Sequence, residues 1–382
     1  MIFWVNLSLL QNKLYMSSTT KELKPLRFSH LIGKDFSSTL NKRVRAYFKE
    51  NNISKYANTA MVVKTIVLTL VYLVPLILML SGVVTNFWLI LFMFVIMGFG
   101  MAGVGLSIMH DANHGAYSKK ENVNKWVGRI INLVGGYALN WKIQHNVLHH
   151  TYTNVHDYDE DISTIGIMRF SPDEKWKPIH KYQYLYAWFF YGLMTVMWMT
   201  TKDFQQLKRY KDKDLLKNFN QSYKNNMLKM IVSKLFYYTL IIALPIAILP
   251  IAWYWVVVFV FMMHYIAGFI LGIVFQPAHI VPETEFVKAT EDLTVENNFA
   301  IHQMQTTSNF APKSKIFAWY VGGLNYQVEH HLFPNICHVH YKKLSKIVKE
   351  TAEEFNVPYN SHKTFLQAVY YHGKMLKQLG KA

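Results

Sequence analysis

The reading of FWLILFMFVIMGFGMAGVGLSIMHDANH, residues 87–114, decides the fold. From Phe87 to Met109 the stretch has no charged side chain, and it is long enough as a helix to cross about 30 Å of hydrocarbon. His110 and His114 follow at once, one helical turn apart, so the span delivers two imidazoles at the membrane surface. Gly98, Gly100, Gly103 and Gly105 give it small faces that let another helix approach closely.

Three further apolar runs lie to either side. Met61 to Ser81 carries only Lys64 near its edge, and Ile231 to Leu249 and Ile251 to Phe275 form a second pair around Pro250. With 52% hydrophobic and 15% aromatic residues, the chain reads as a membrane protein. Trp126 to Leu139 is too short to span and is interrupted by Arg129 and Asn132, which predicts an interfacial or re-entrant piece. Tyr184 to Thr200 is aromatic-rich and borderline in length. The stretch from Ser17 to Ala60 is polar and basic, with Lys42, Arg43, Arg45 and Lys49 on a short amphipathic helix.

Two other histidine clusters echo the first. Gln144-His145-Asn146-Val147-Leu148-His149-His150 places three histidines at i, i+4 and i+5. On an α-helix His145 and His149 share a face, with His150 about 100° round from it. Gln327-Val328-Glu329-His330-His331 lies far downstream. An HxxxH pair arises often by chance on any helix, and a lone histidine is usually a satisfied core or surface residue. Here the clusters repeat, each lies at or just past an apolar segment, and Asp111, Asp157 and Glu329 stand inside or beside them as candidate acceptors for the second ring N–H. Seven imidazoles exceed the four to six ligands of one first-row ion, which points to two metals. Neutral imidazole suits iron, copper, nickel or zinc, so ligand type leaves the metal open.

Topology follows from parity. If Tyr184–Thr200 crossed the bilayer, the third cluster would emerge opposite the first two and no shared site would form, so this segment is expected to lie on the membrane. The net charge of +17 fits a membrane face better than nucleic acid, given the apolar runs. Residues 82–86 and the turn at Pro250 are uncharged, whereas Lys and Arg crowd residues 13–55, 202–234 and 342–349, which places the clusters on the cytoplasmic side. The predicted fold class is an all-α membrane protein with four transmembrane helices in two hairpins, interfacial helices and a cytosolic helical cap holding the metals. Its divisions are an N-terminal arm (1–60), a main domain (61–350) and a cytosolic tail (351–382). Met16 opens a polar segment that looks like a natural start, so residues 1–15 read as an extension. The single cysteine, Cys337, excludes an intramolecular disulfide and reads as a small buried filler.

No serine or cysteine nucleophile arrangement, phosphate loop or nucleotide fingerprint is present. A redox metal pair at a membrane surface fits O₂ activation for attack on an unactivated C–H bond of a lipid chain. HDANH, HNVLHH and QVEHH, in this order and with these hairpins between them, resemble the three histidine boxes of the membrane fatty acid desaturases, over roughly residues 60–350. His-His-Thr-Tyr-Thr-Asn (149–154) followed by Asp157, Asp159 and Asp161, and Gln327 with His-His-Leu-Phe-Pro (330–334), are similar to the front-end or linoleoyl-CoA desaturase-like branch.

The resemblance implies two iron ions held by His110, His114, His145, His149, His150, His330 and His331. It adds His279, just past the fourth span, as a further ligand; helix capping is the structural alternative there. Gln327 would supply either a carbonyl ligand or a hydrogen bond to a metal-bound water. His302, His338, His340, His156 and Asn154 read as supporting or surface residues, and Trp141 as a possible tunnel wall. The implied reaction uses O₂ as co-substrate and removes two hydrogens from adjacent methylenes, leaving a cis double bond and water. The acyl substrate would be carried by CoA, acyl carrier protein or a lipid. A hydroxylase of alkyl chains is the alternative, and a metal transporter the rival from another class, although transport sites belong near the midplane. No His-Pro-Gly-Gly haem motif of a fused cytochrome b5 and no cysteine set for an iron–sulfur cluster occurs, so electrons are expected from a separate donor such as ferredoxin or cytochrome b5. The expected location is a bacterial inner membrane, or endoplasmic reticulum in a eukaryote.

Overall fold

The computed structural model describes residues 23–29, 33–164 and 166–381. Expectations about residues 1–15 lie outside these. Among the described residues, four helices are long and apolar enough to cross a membrane: α2 (Thr59–Leu80), α3 (Phe87–Asn113), α9 (Tyr223–Ile248) and α10 (Trp253–Ala278). Asn58 and Asn86 cap α2 and α3 by accepting backbone N–H groups of Met61, and of Trp88 and Leu89, which fixes where each helix begins. At 27 and 26 residues, α3 and α10 would be about 40 Å long, more than the ~30 Å of hydrocarbon. Each is thus longer than a span requires, and His110, His114 and His279 lie at or just past the C-terminal ends.

Helix α3 packs between α2 and α10. The close approach depends on glycine: a Cβ on Gly100 would sit 2.7 Å from the Tyr72 backbone N of α2, and one on Gly98 2.8 Å from the Met263 carbonyl of α10. Preceding the spans, α1 (Lys34–Glu50) buries Phe36, Leu40 and Val44 against the cap and leaves its basic face outward. The expected short basic helix is thus present, with a longer N-terminal half.

Between the hairpins lie α4 (Glu121–Gly128), a 3₁₀ stretch Arg129–Val134, and α5 (Ala138–Trp141) running into a π-helix, Lys142–His149. None of these spans, and Trp126 is 69% exposed as an interfacial tryptophan would be. The borderline aromatic segment forms α6 (Gln183–Gly192) and α7 (Met194–Met197). It does not span, but neither does it lie apart from the spans. Tyr191 and Gly192 pack on Gly272 and Gly268 of α10, and the Thr195 hydroxyl donates to the His264 carbonyl. The segment runs antiparallel along the histidine-bearing half of α10 because two glycines let the backbones meet.

After a π-turn, α8 (Asp203–Asp212) braces the second box. Lys234 of α9 donates to the carbonyls of Gly135 and Trp198 and to Asp203, and Asn140 of α5 donates to the Asp203 carbonyl at 2.7 Å. The cap is completed by α11 (Phe299–Thr306), α12 (Lys315–Tyr320), α13 (Gln327–Leu332), α14 (Tyr341–Glu354) and α15 (Phe365–Leu379). Two short parallel pairs tie it: β1 (Arg27–Phe28) with β2 (Thr294–Val295), and β3 (Ser308–Phe310) with β4 (Asn360–His362). The stretch after residue 350 is no free tail. β4 pairs with β3, and the buried His372 of α15 bonds Tyr191 and the Ile280 carbonyl.

Candidate metal centre

All three clusters, and His279, meet where α3, α5, α10 and α13 end. His110, His114, His145 and His330 place one ring nitrogen each within 4.8 Å of one another, and so do His149, His279 and His331. His150 bridges the groups: its ring centroid is 4.2 Å from that of His331, 4.4 Å from His330 and 4.6 Å from His114. The parity argument needed this convergence.

The second box departs from the expected α-helical geometry. Lys142–His149 winds with i→i+5 bonding, so His150 is turned back toward His145 and their Nε2 atoms lie 3.3 Å apart. A second π-turn, Val104–Met109, immediately precedes His110. Spacing alone does not tell an α-turn from a π-turn over so few residues, so the π-winding was not legible in the sequence.

The donor set fits metal ions. The Nε2 atoms of His149, His279 and His331 are buried without a hydrogen-bond partner, as are those of His114 and His330. Such orphaned groups are costly in an interior unless a ligand completes them. In the second group each Nδ1 is engaged: His149 with Asp159 at 3.1 Å, His279 with the Thr306 carbonyl at 3.2 Å, His331 with Gln303 Oε1 at 2.9 Å. Donation from Nδ1 fixes the tautomer that presents a bare Nε2. In the first group His330 Nδ1 lies 3.1 Å from the Tyr341 hydroxyl, while His110 and His145 bring their Nε2 atoms within 3.2 Å of each other.

Burial, together with repulsion among neighbouring imidazoles, holds His114, His150, His279, His330 and His331 well below the ordinary histidine pKa, so they are neutral at pH 7. Burial likewise pushes His145 down to about 3. At His149 burial acts in the same sense but is outweighed by the Asp159 and Asp161 carboxylates, and its pKa is raised.

The carboxylate partners differ from those expected. Asp157 is exposed and turned outward at φ 68°, beside His156. Its place is taken by Asp159 and by Asp161, which lies 3.6 Å from His149 and also accepts from Gln144. Among the described residues, the Glu329 carboxylate makes no hydrogen bond or ion pair with a histidine. It accepts from Asn309 Nδ2 and the Tyr359 hydroxyl at 2.9 Å each, and burial raises its pKa to about 7. On a helix as short as α13, the residue before a histidine points to another face, which is why adjacency misled.

Asp111 keeps its expected place, 3.7 Å from His110, but its main partner is His338, whose Nδ1 is 2.8 Å away and whose Nε2 is 2.7 Å from the Lys64 amine. Cys337 and His338 come close enough to Asp111 to suggest another ligand cluster. Both His338 nitrogens are already occupied, one by a cation, so this is a clamp joining α2, the first box and the third. The buried Cys337 fills space beside it.

Gln327 opens α13, and neither atom of its buried amide has a partner. Asn154 fastens the second box, donating to the His279 carbonyl at 2.8 Å. The Trp141 ring lies 4.5 Å from His145. His302 lies beside Phe28, ring centroids 5.3 Å apart and tilted, and His340 reaches the Tyr56 carbonyl; neither belongs to the two groups. Gln303, Tyr341 and Gln206, which donates to Gln144 at 2.5 Å, were not legible in the sequence. Lys64 gave one signal, as the sole charge in an apolar run.

Residues 86–363 match the family model described as "Fatty acid desaturase". An "sn-1 linoleoyl-lipid 6-desaturase" of Arthrospira platensis is 35% identical over 95% of this chain and 96% of its own length. A protein of the same description from Synechocystis sp. is 32% identical over 91% and 96%. An "Acyl-lipid (8-3)-desaturase" of Physcomitrium patens is 32% identical over 93% of this chain and 74% of its own length.

Proposed function

This chain belongs to the fatty acid desaturase family, and from that premise we propose how its own residues serve the reaction. It is a membrane oxidoreductase that desaturates fatty acyl chains and depends on metal. The hydroxylase alternative is left without a supporting observation. The ions are two irons, held by His110, His114, His145, His149, His150, His279, His330 and His331. Convergence of these eight imidazoles, seven buried and His114 half-buried, with orphaned nitrogens facing one another, is the observation that carries the reading. When bound, the pair supplies O₂ activation for removing hydrogens from unactivated C–H bonds.

The chain's residues do the rest. Asp159, Gln303 and the Thr306 carbonyl hold the Nδ1 protons of His149, His331 and His279, which keeps each Nε2 available. Burial keeps His114, His145, His150 and His330 neutral and shuts water out. The free amide of Gln327 orients a group at the metal edge. The Trp141 ring walls the first group, and positioning an alkyl chain against such a wall selects the carbons that react.

Because the relatives named above are described as acting on acyl lipids, the substrate proposed here is a lipid-linked acyl chain. The histidine-bearing end faces the cytoplasm, in keeping with the uncharged turns at the other end. Electrons arrive from a separate acidic carrier drawn to the basic face. Expression in a host lacking the activity, with gas chromatography of its lipid and thioester pools, tests the main reading. New unsaturated chains should appear first in the lipid pool, and an acyl product with one added oxygen would refute desaturation. Impermeant thiol reagents should reach a cysteine at Thr85 from outside and not one at Ser222; the reverse would invert the orientation. Purified enzyme should stay idle with O₂ and acyl lipid until a reduced carrier is added. Sustained turnover with NAD(P)H alone would exclude the separate donor.

A further inference from the structure

Helix α12 buries none of its six residues. Ile316 is 84% exposed and Trp319 41%. On α15, Leu366 and Tyr370 are 78% and 69% exposed, one turn apart, while Ala368, His372, Leu376 and Leu379 are buried on the opposite side. The exposed side is not the inner face of a loosely attached helix. Thr364 caps α15, His372 bonds Tyr191 at 2.6 Å and the Ile280 carbonyl at 2.8 Å, and the Gly380 carbonyl accepts from Trp176 at 2.9 Å. The two helices meet through Phe317 and Phe365, whose ring centroids are 4.8 Å apart. Together they present one apolar patch of the kind that marks a protein or membrane contact.

The patch continues into the lipid-facing surface of the spans on both sides. On one, the Tyr320 hydroxyl of α12 donates to the Phe99 carbonyl of α3 at 2.9 Å, and the Phe99 side chain faces outward. On the other, α15 lies along α6, with the Lys377 amine 5.4 Å from the Tyr184 ring. The outward Phe189 of α6 stacks 5.9 Å from Tyr265 of α10, which is 6.0 Å from the outward Phe261. Charge agrees with this placement: residues 311–324 and 363–381 contain no acidic side chain, whereas Lys313, Lys315, Lys363, Lys374 and Lys377 are all exposed. On α15 the face that begins with Leu366 and Tyr370 continues with Lys374 and Lys377.

We propose that α12 and α15 lie in the boundary between hydrocarbon and headgroups of the bilayer, with α15 tilted so that Leu366 and Tyr370 sit among acyl chains and Lys374 and Lys377 among anionic headgroups. Apolar, aromatic and lysine side chains in this order are what such a boundary accommodates. The anchor is joined to the metal centre, because His372 holds the carbonyl of Ile280, the residue after His279. It rests on the four apolar helices being spans and not on the reaction.

The test uses the full chain, one copy per nanodisc of phosphatidylcholine and phosphatidylglycerol, with nitroxide labels on I316C, L366C or K377C; unsubstituted protein, whose only cysteine is buried, is the blank. Power saturation compares collision with O₂, which concentrates in hydrocarbon, and with a nickel chelate, which stays in water. Labels at 316 and 366 should favour O₂ and the label at 377 should favour nickel, so the ratio inverts along one helix. A nickel preference at either 316 or 366 would overturn the proposal. So would labels at 366 that are shielded from both relaxants only in discs holding two copies, since that face would then belong to a second chain.

Discussion

The two histidine groups are built from the same side chain and held in different ways. His149, His279 and His331 stand on the second-box π-helix, just past a span and in the cap, and each has its Nδ1 bonded to an acceptor: a carboxylate, a carbonyl and an amide. His110 and His114 stand at the C-terminal end of α3, and neither makes such a bond; the Asp111 carboxylate is 3.7 Å from His110. Instead the clamp from Asp111 through His338 to Lys64 fastens the whole span end to α2 and to the third-box loop. His149, His279 and His331 each take their ring direction from a hydrogen bond of their own, as His330 does from Tyr341, whereas His110 and His114 take theirs from the helix that carries them.

Removing a ligand should do most. His149→Ala is expected to abolish turnover and leave less than the full complement of iron, read by product analysis and metal assay, and iron and turnover equal to wild type would remove His149 from the site. Lys64→Met comes next, since it removes the ammonium that bonds His338 Nε2 and so leaves the His338–Asp111 link without its cation; losing a buried hydrogen bond to a charged group costs about 1.5–3 kcal/mol. Thermal unfolding should show that loss while iron per folded chain is kept. If iron fell and stability did not, the clamp would be tuning the metal, and the contrast drawn above would fail.

Asp159→Asn should have the opposite signature, with folding close to wild type and metal affinity down about 10–100-fold, the usual cost of losing a partner behind a ligating histidine. Competition with a chelator measures it, and unchanged affinity would show that the His149 ring is oriented by packing alone. The smallest effect is expected at Gln327→Ala: full iron, normal insertion, and turnover down about tenfold, or ~1.4 kcal/mol of barrier. Wild-type turnover would make Gln327 a spacer.

The sequence by itself determined the architecture and most of the proposed ligands. Apolar runs of about twenty residues whose only charges are Lys64 and Lys234 have few outcomes other than spanning a bilayer, and parity then required the clusters to share one end. It did not determine how the rings are aimed. The π-winding of Lys142–His149, the exchange of Asp157 for Asp159 and Asp161, and the diversion of Glu329 to Asn309 and Tyr359 depend on turns and on residues far away in the chain. Lys64 and His338 are 274 positions apart and 2.7 Å apart in space. Local spacing sets which residues reach a surface together, but a hydrogen bond is decided within tenths of an ångström, and only the packed tertiary structure fixes distances that finely.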